Sequence, residues 1–155
     1  MTLANLLSAE QIVPEMKAKG RWEAIAELVE VLVGTGRIRA EDREQVLESI
    51  KQREQTMSTG IGFGIAIPHA SSEKVGEVVA SFGRSTTGVE FDSLDAQPVF
   101  FVVLFVVPKD QFQTHLRTLA AIAKFLNDKA VRDELGKAQN ADQILQVFEN
   151  RSPRN

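Results

Sequence analysis

From Arg21 onward, Trp22, Ile25, Val29, Leu32 and Val33 recur at helical spacing, and Gly34 and Gly36 stop that helix. A second helix is predicted from Ala40-Glu41-Asp42, whose acidic groups suit the positive end of the helix dipole, to about Glu54. Its inward face carries Val46, Leu47 and Ile50. Beyond a glycine-rich segment the period changes. Residues 78–84 read as a strand that ends in Thr86-Thr87-Gly88, and Val89-Glu90-Phe91 as a short second one. Pro98 introduces residues 99–107, an unbroken apolar run rich in β-branched and aromatic side chains. That run predicts a central strand covered on both faces. After Pro108, Lys109 or Asp110 opens an amphipathic helix striped by Phe112, His115, Leu119, Ile122 and Leu126. Further helical segments are predicted over 128–135 and 141–148, with Pro153 in a tail. Near the start, Ser8-Ala9-Glu10 reads as a turn and Gln11-Ile12-Val13 as a strand. No repeat or linker interrupts the chain. The expected fold is a single α/β domain over residues 1–155, its core about 6–148, with a central mixed sheet and helices on both faces.

Composition narrows the function classes. A net charge of −3 and a pI near 5.5 argue against general nucleic-acid binding. The chain has no cysteine, which excludes disulfides and thiolate metal sites. The apolar run at 99–107 is about half of the ~20 residues a membrane-spanning helix needs. Residues 1–7 lack the pattern of a signal peptide. A cytoplasmic protein, not embedded in a membrane, is expected.

Reactive chemistry has few places to reside, since the chain holds two histidines, His69 and His115, and no tyrosine. His69 ends the segment Ser58-Thr59-Gly60-Ile61-Gly62-Phe63-Gly64-Ile65-Ala66-Ile67-Pro68-His69-Ala70. The glycines are spaced G-x-G-x-G and lead from a helix into a strand, the reverse of a dinucleotide-binding loop. They serve either as a tight turn or as a place where backbone amides approach an anion. Pro68 cannot donate to a sheet ladder, so a strand over Ile65-Ala66-Ile67 should stop there and leave His69 at its end or in the next loop. His115 on its apolar stripe is either a packed residue or a second histidine at the same sheet edge. Arg53 shares the inward face of the second helix, where it needs an anionic partner or satisfies the helix's terminal carbonyls. Two histidines and an arginine beside an amide-rich loop suit phosphate better than a metal, for which three or four ligands are usual. No cofactor or metal is expected. No G-x-S-x-G elbow is present either. A phosphorylatable histidine is the coherent reading.

The segment 58–70 resembles the phosphorylation-site signature of the fructose/mannitol-type enzyme IIA domains of the bacterial phosphoenolpyruvate-dependent phosphotransferase system. With Arg53 before it, the wording is most similar to the nitrogen-regulatory IIA proteins. Further similarity runs through residues 89–99 and Thr114-His115-Leu116-Arg117-Thr118-Leu119. The resemblance implies the IIA fold of this family. It also implies that His69 accepts phosphate from an HPr-type carrier, with His115 the second active-site histidine and Arg53 facing the phosphate. Ser58, Thr59, Gly60 and Gly62 would contribute phosphate-binding groups. Ile61 and Phe63 are candidates either for an apolar partner surface around His69 or for the core. Such a phosphoprotein would act in nitrogen or metabolic regulation through a target protein, as an enzyme of protein histidine phosphoryl transfer whose turnover is regulatory rather than metabolic. Alternatively it would be a sugar-specific IIA component passing phosphate to a IIB partner. Ala70 departs from the glycine common in the nitrogen-regulatory relatives, a change that keeps a small side chain.

Overall fold

The computed structural model describes residues 2–56 and 58–151; Pro153 lies outside them. The chain opens with the short helix α1 (Leu3–Leu6), a 3-10 turn (Ala9–Gln11) and strand β1 (Ile12–Val13). Helix α2 (Arg21–Gly34) follows, then a second 3-10 turn (Ala40–Asp42) and helix α3 (Arg43–Thr56). Strands β2 (Gly60–Gly62), β3 (Ile65–Ala66), β4 (His69–Ser72), β5 (Val79–Val89) and β6 (Val99–Pro108) come next, and helices α4 (Leu116–Leu126), α5 (Lys129–Lys137) and α6 (Ala141–Arg151) close the fold.

The six strands form one mixed sheet in the order β1-β5-β6-β3-β2, with β4 also beside β6. β6 is the predicted central strand. It runs antiparallel to β5 and parallel to β3 and β4. Its alternate residues feed two cores. Val102, Leu104 and Val106 pack with Ile25, Leu28, Leu32, Val46 and Ile50 of α2 and α3. Phe101, Val103, Phe105 and Val107 pack on the other face with Ile122, Leu126, Leu135, Ile144 and Phe148. Burying each such side chain contributes ~2 kcal/mol, and both faces draw on one strand, so β6 anchors the whole domain. Helices do flank both faces of the sheet. Among the described residues no helix is long and apolar enough to cross a membrane.

Three expectations are corrected. Residues 79–89 form one strand, because an irregularity between Arg84 and Val89, with Gly88 at φ 96°, lets the ladder resume after the threonines. The amphipathic helix begins at Leu116, not at 109–110: Gln111 N–H closes a turn onto the Pro108 carbonyl, and further turns precede His115, which caps α4. The glycine segment is a hairpin. Phe63 (φ 58°) and Gly64 (φ 78°) are the two connecting residues between β2 and β3, and two successive positive φ angles mark the type I′ turn that matches strand twist.

Candidate functional site

β3 and β4 lie one after the other along the same side of β6, interrupted at Ile67-Pro68. Pro68 supplies no N–H, yet its carbonyl accepts from Phe105 N–H at 3.0 Å, so the chain stays on the sheet and re-enters the ladder at His69. His69 therefore opens β4, with two residues between it and the end of β3. Its Nδ1 lies 2.7 Å from the Ile67 carbonyl oxygen. A carbonyl can only accept, so Nδ1 carries the proton and the lone pair resides on Nε2. The Phe112 ring stacks on the imidazole, with centroids 6.0 Å apart and planes at 18°.

His69 is half-buried and shares a concavity of about 420 Å³ with Ser49, Gln52 and Arg53 of α3, Ser71 of β4 and Phe112. Burial pushes its pKa below the ordinary 6.5 because the imidazolium is poorly solvated there. The Ile67 carbonyl opposes that shift, the Arg53 charge adds to it, and Glu54 counteracts it weakly. The result is a neutral imidazole at pH 7 with one fixed tautomer. Arg53 sits in the last turn of α3, so the structure brings Arg53 and His69 together.

His115 is placed differently. It is buried, meets the edge of the Phe105 ring at 6.1 Å between centroids, and lines a separate concavity with Gln11, Val78 and Gln111. Phe105 is also the register partner of His69 in the β4–β6 ladder. The ring stacked on His69, however, belongs to Phe112.

Ser58, Thr59, Gly60 and Gly62 do not line the His69 concavity. Their donors are largely committed elsewhere. Ser58 Oγ donates to the Phe91 carbonyl at 2.8 Å and accepts from Gly60 N–H at 3.1 Å. Thr59 gives its N–H and its hydroxyl to the two carboxylate oxygens of Glu54, at 2.9 and 2.5 Å. Thr59 in turn accepts from Ile67 N–H at 3.1 Å, next to the break before His69. The segment thus braces the strand that presents His69. Ile61 is 39% exposed and Phe63 64%, but Phe63 leans toward Arg132 and not toward His69.

Glu54 escaped the sequence reading. It is 1% exposed, and Arg21 Nη1 stands 3.6 Å from its Oε2. One signal was available: a carboxylate in the last turn of a helix opposes the dipole, so it needs another reason to be there. That reason is the clamp on Thr59.

The family model described as "Phosphoenolpyruvate-dependent sugar phosphotransferase system, EIIA 2" matches residues 5–151. The chain is 35% identical over 148 residues to the fructose-specific EIIABC component of Bacillus subtilis, covering 96% of this chain but 23% of that protein's length. It is 31% identical over 148 residues to a nitrogen regulatory protein of Bradyrhizobium diazoefficiens, covering 96% of this chain and 95% of the relative. The crystal structure of the nitrogen regulatory protein IIA-Ntr from Neisseria meningitidis superposes with a TM-score of 0.84 at 26% identity, covering 94% and 98% of the two chains. Sequence signature, mixed-sheet architecture and family match agree, and the chain belongs to the type 2 EIIA family of the phosphoenolpyruvate-dependent sugar phosphotransferase system.

Proposed function

We propose that Nε2 of His69 accepts a phosphoryl group from the phosphohistidine of an HPr-type carrier. The observation that carries this reading is the Nδ1 contact to the Ile67 carbonyl, which leaves the Nε2 lone pair free on a ring held neutral beside Arg53. In the transfer, an N–P bond forms at Nε2 as the donor's N–P bond breaks, and the donor imidazole leaves with that electron pair. As Nε2 gains phosphorus, the Nδ1 proton becomes more acidic and the Ile67 carbonyl meets the growing positive charge on the ring. Arg53 neutralises charge on the phosphoryl oxygens. His115 enters through the family resemblance as a second active-site histidine, and its packing on Phe105 beside His69 is consistent with that role.

His69→Ala should abolish incorporation of acid-labile phosphate from a phosphorylated carrier, and undiminished labelling would falsify the assignment. We place the protein in the cytoplasm, in nitrogen or metabolic regulation, with the phosphate on His69 governing contact with a target protein. The match along nearly all of a nitrogen regulatory relative favours this reading. A second reading, delivery of phosphate to a IIB partner in sugar uptake, is supported by the 35% identity to the fructose-specific relative over 96% of this chain. Label that moves from His69 onto an added IIB domain would decide for the second.

A further inference from the structure

Away from His69, a cavity of about 350 Å³ opens between β5, the β2–β3 turn and α5, lined by Arg84, Phe63, Phe100, Phe101, Arg132 and Asp133, among others. Arg84 is 7% exposed. Its Nε donates to the Pro14 carbonyl at 2.9 Å, and its Nη1 donates to the carbonyls of Leu135 (2.7 Å) and Ala138. These bonds tie the end of α5 to the sheet, and they use three of the five guanidinium hydrogens. Among the described residues Nη2 has no protein acceptor, and it is not sealed from solvent. The one carboxylate lining the cavity, that of Asp133, is paired with Lys129 at 2.9 Å, and among the described residues no carboxylate lies within ion-pair distance of Arg84 or Arg132. A buried cation paired only with carbonyl dipoles retains its full charge, and the accessible nitrogen is where an anion would meet it.

The opposite wall is aromatic. Phe63 is exposed although it is apolar, and it holds φ 58°, a conformation costly for any side chain with a Cβ. Its ring faces the Arg132 guanidinium at 5.4 Å. Exposure and conformation both oppose folding, and a ligand covering the ring would offset the first of them.

We propose that this cavity binds a small organic anion with a flat apolar body, its charged group on Arg84 and Arg132 and its body between the rings of Phe63, Phe100 and Phe101. The site is independent of phosphate transfer at His69. Titration of the full chain with phenyl phosphate, followed by amide nitrogen–proton spectra at low salt, tests it; inorganic phosphate serves as the anion without a body. Saturable shifts are expected at Ser85, Thr86 and Gly136, with phenyl phosphate bound at least tenfold tighter than phosphate. Because Arg84 also holds α5, the informative variants are elsewhere. Arg132→Gln should weaken phenyl phosphate about tenfold, the loss of one charge-assisted contact. Phe63→Gly should erase the preference for phenyl phosphate, and His69→Ala should bind as the parent does. Equal affinity for the two probes, an unchanged Arg132→Gln, or shifts centred on Arg53 and His69 would overturn the proposal.

Discussion

Replacing Glu54 by alanine tests whether the support behind His69 is a real clamp. In the folded chain the carboxylate accepts two hydrogen bonds from Thr59, one of them from a main-chain N–H, and both groups are buried. Hydrogen bonds to a charged group contribute ~1.5–3 kcal/mol each, and an orphaned buried N–H costs ~1–3 kcal/mol. The Arg21 contact at 3.6 Å adds little, because Arg21 is partly solvated. The contributions overlap, so a loss of about 3–5 kcal/mol is expected from two lost charge-assisted bonds and the orphaned Thr59 donors. For a domain of this size that is a large part of the total stability. Urea unfolding with a constant m-value is the assay. Thr59→Val removes only the hydroxyl bond and should cost about half as much. In a double-mutant cycle the two changes should couple by at least ~1 kcal/mol. A Glu54→Ala loss below ~1 kcal/mol, or strict additivity with Thr59→Val, would refute the clamp.

The remaining predictions concern the same edge of the sheet. Arg53→Ala should slow phosphate acceptance by the equivalent of a few kcal/mol, about a hundredfold or more, as for loss of one transition-state donor; an unchanged rate removes Arg53 from the site. The His69 imidazole should titrate below 6.5 by proton NMR, and Arg53→Ala should raise its midpoint, because burial and the Arg53 charge both disfavour the imidazolium. With the folded pKa depressed, the stability held by neutral His69 is fully present above 6.5 and is lost as pH falls through the folded midpoint, so acid weakens fold and phosphate acceptance together; a midpoint at or above 6.5 contradicts this. Gly60→Ala would set a Cβ 2.3 Å from Ser93 Oγ and 3.0 Å from Ser93 Cα, so it should destabilise by ~1–3 kcal/mol, and a neutral melting temperature would show that the loop yields freely.

What could be read from the chain, and what could not, divides along physical lines. Residues 99–107 announced the central strand because a run apolar at every position has no solvent face, and the folded β6 buries nearly all of it. Arg53 and His69 were legible for a similar reason: each is a costly residue at a marked place, one at a helix end and one after a proline. The hairpin at Phe63-Gly64 was hidden because Phe63 violates the usual turn chemistry, in which asparagine, aspartate or glycine takes the first positive φ. The register of β5 across Thr86 and Thr87 was likewise invisible, since the pairing depends on β6 and not on local composition. Arg84 drew no notice within an apolar strand, because its partners are carbonyls from residues 14, 135 and 138, distant in the chain.

The hydrogen bond from His69 to Ile67 has an evolutionary corollary. Its acceptor is main-chain, so no point substitution can delete that oxygen; only a change in the backbone path around Pro68 can move it. The choice between the two ring nitrogens is therefore insulated from drift in the surrounding side chains. On the proposed function, the side chains of Ser49, Gln52 and Phe112 could be exchanged to suit different protein partners while the nitrogen that takes the phosphate stays the same. A scaffold built in this way can change its clients without changing its chemistry.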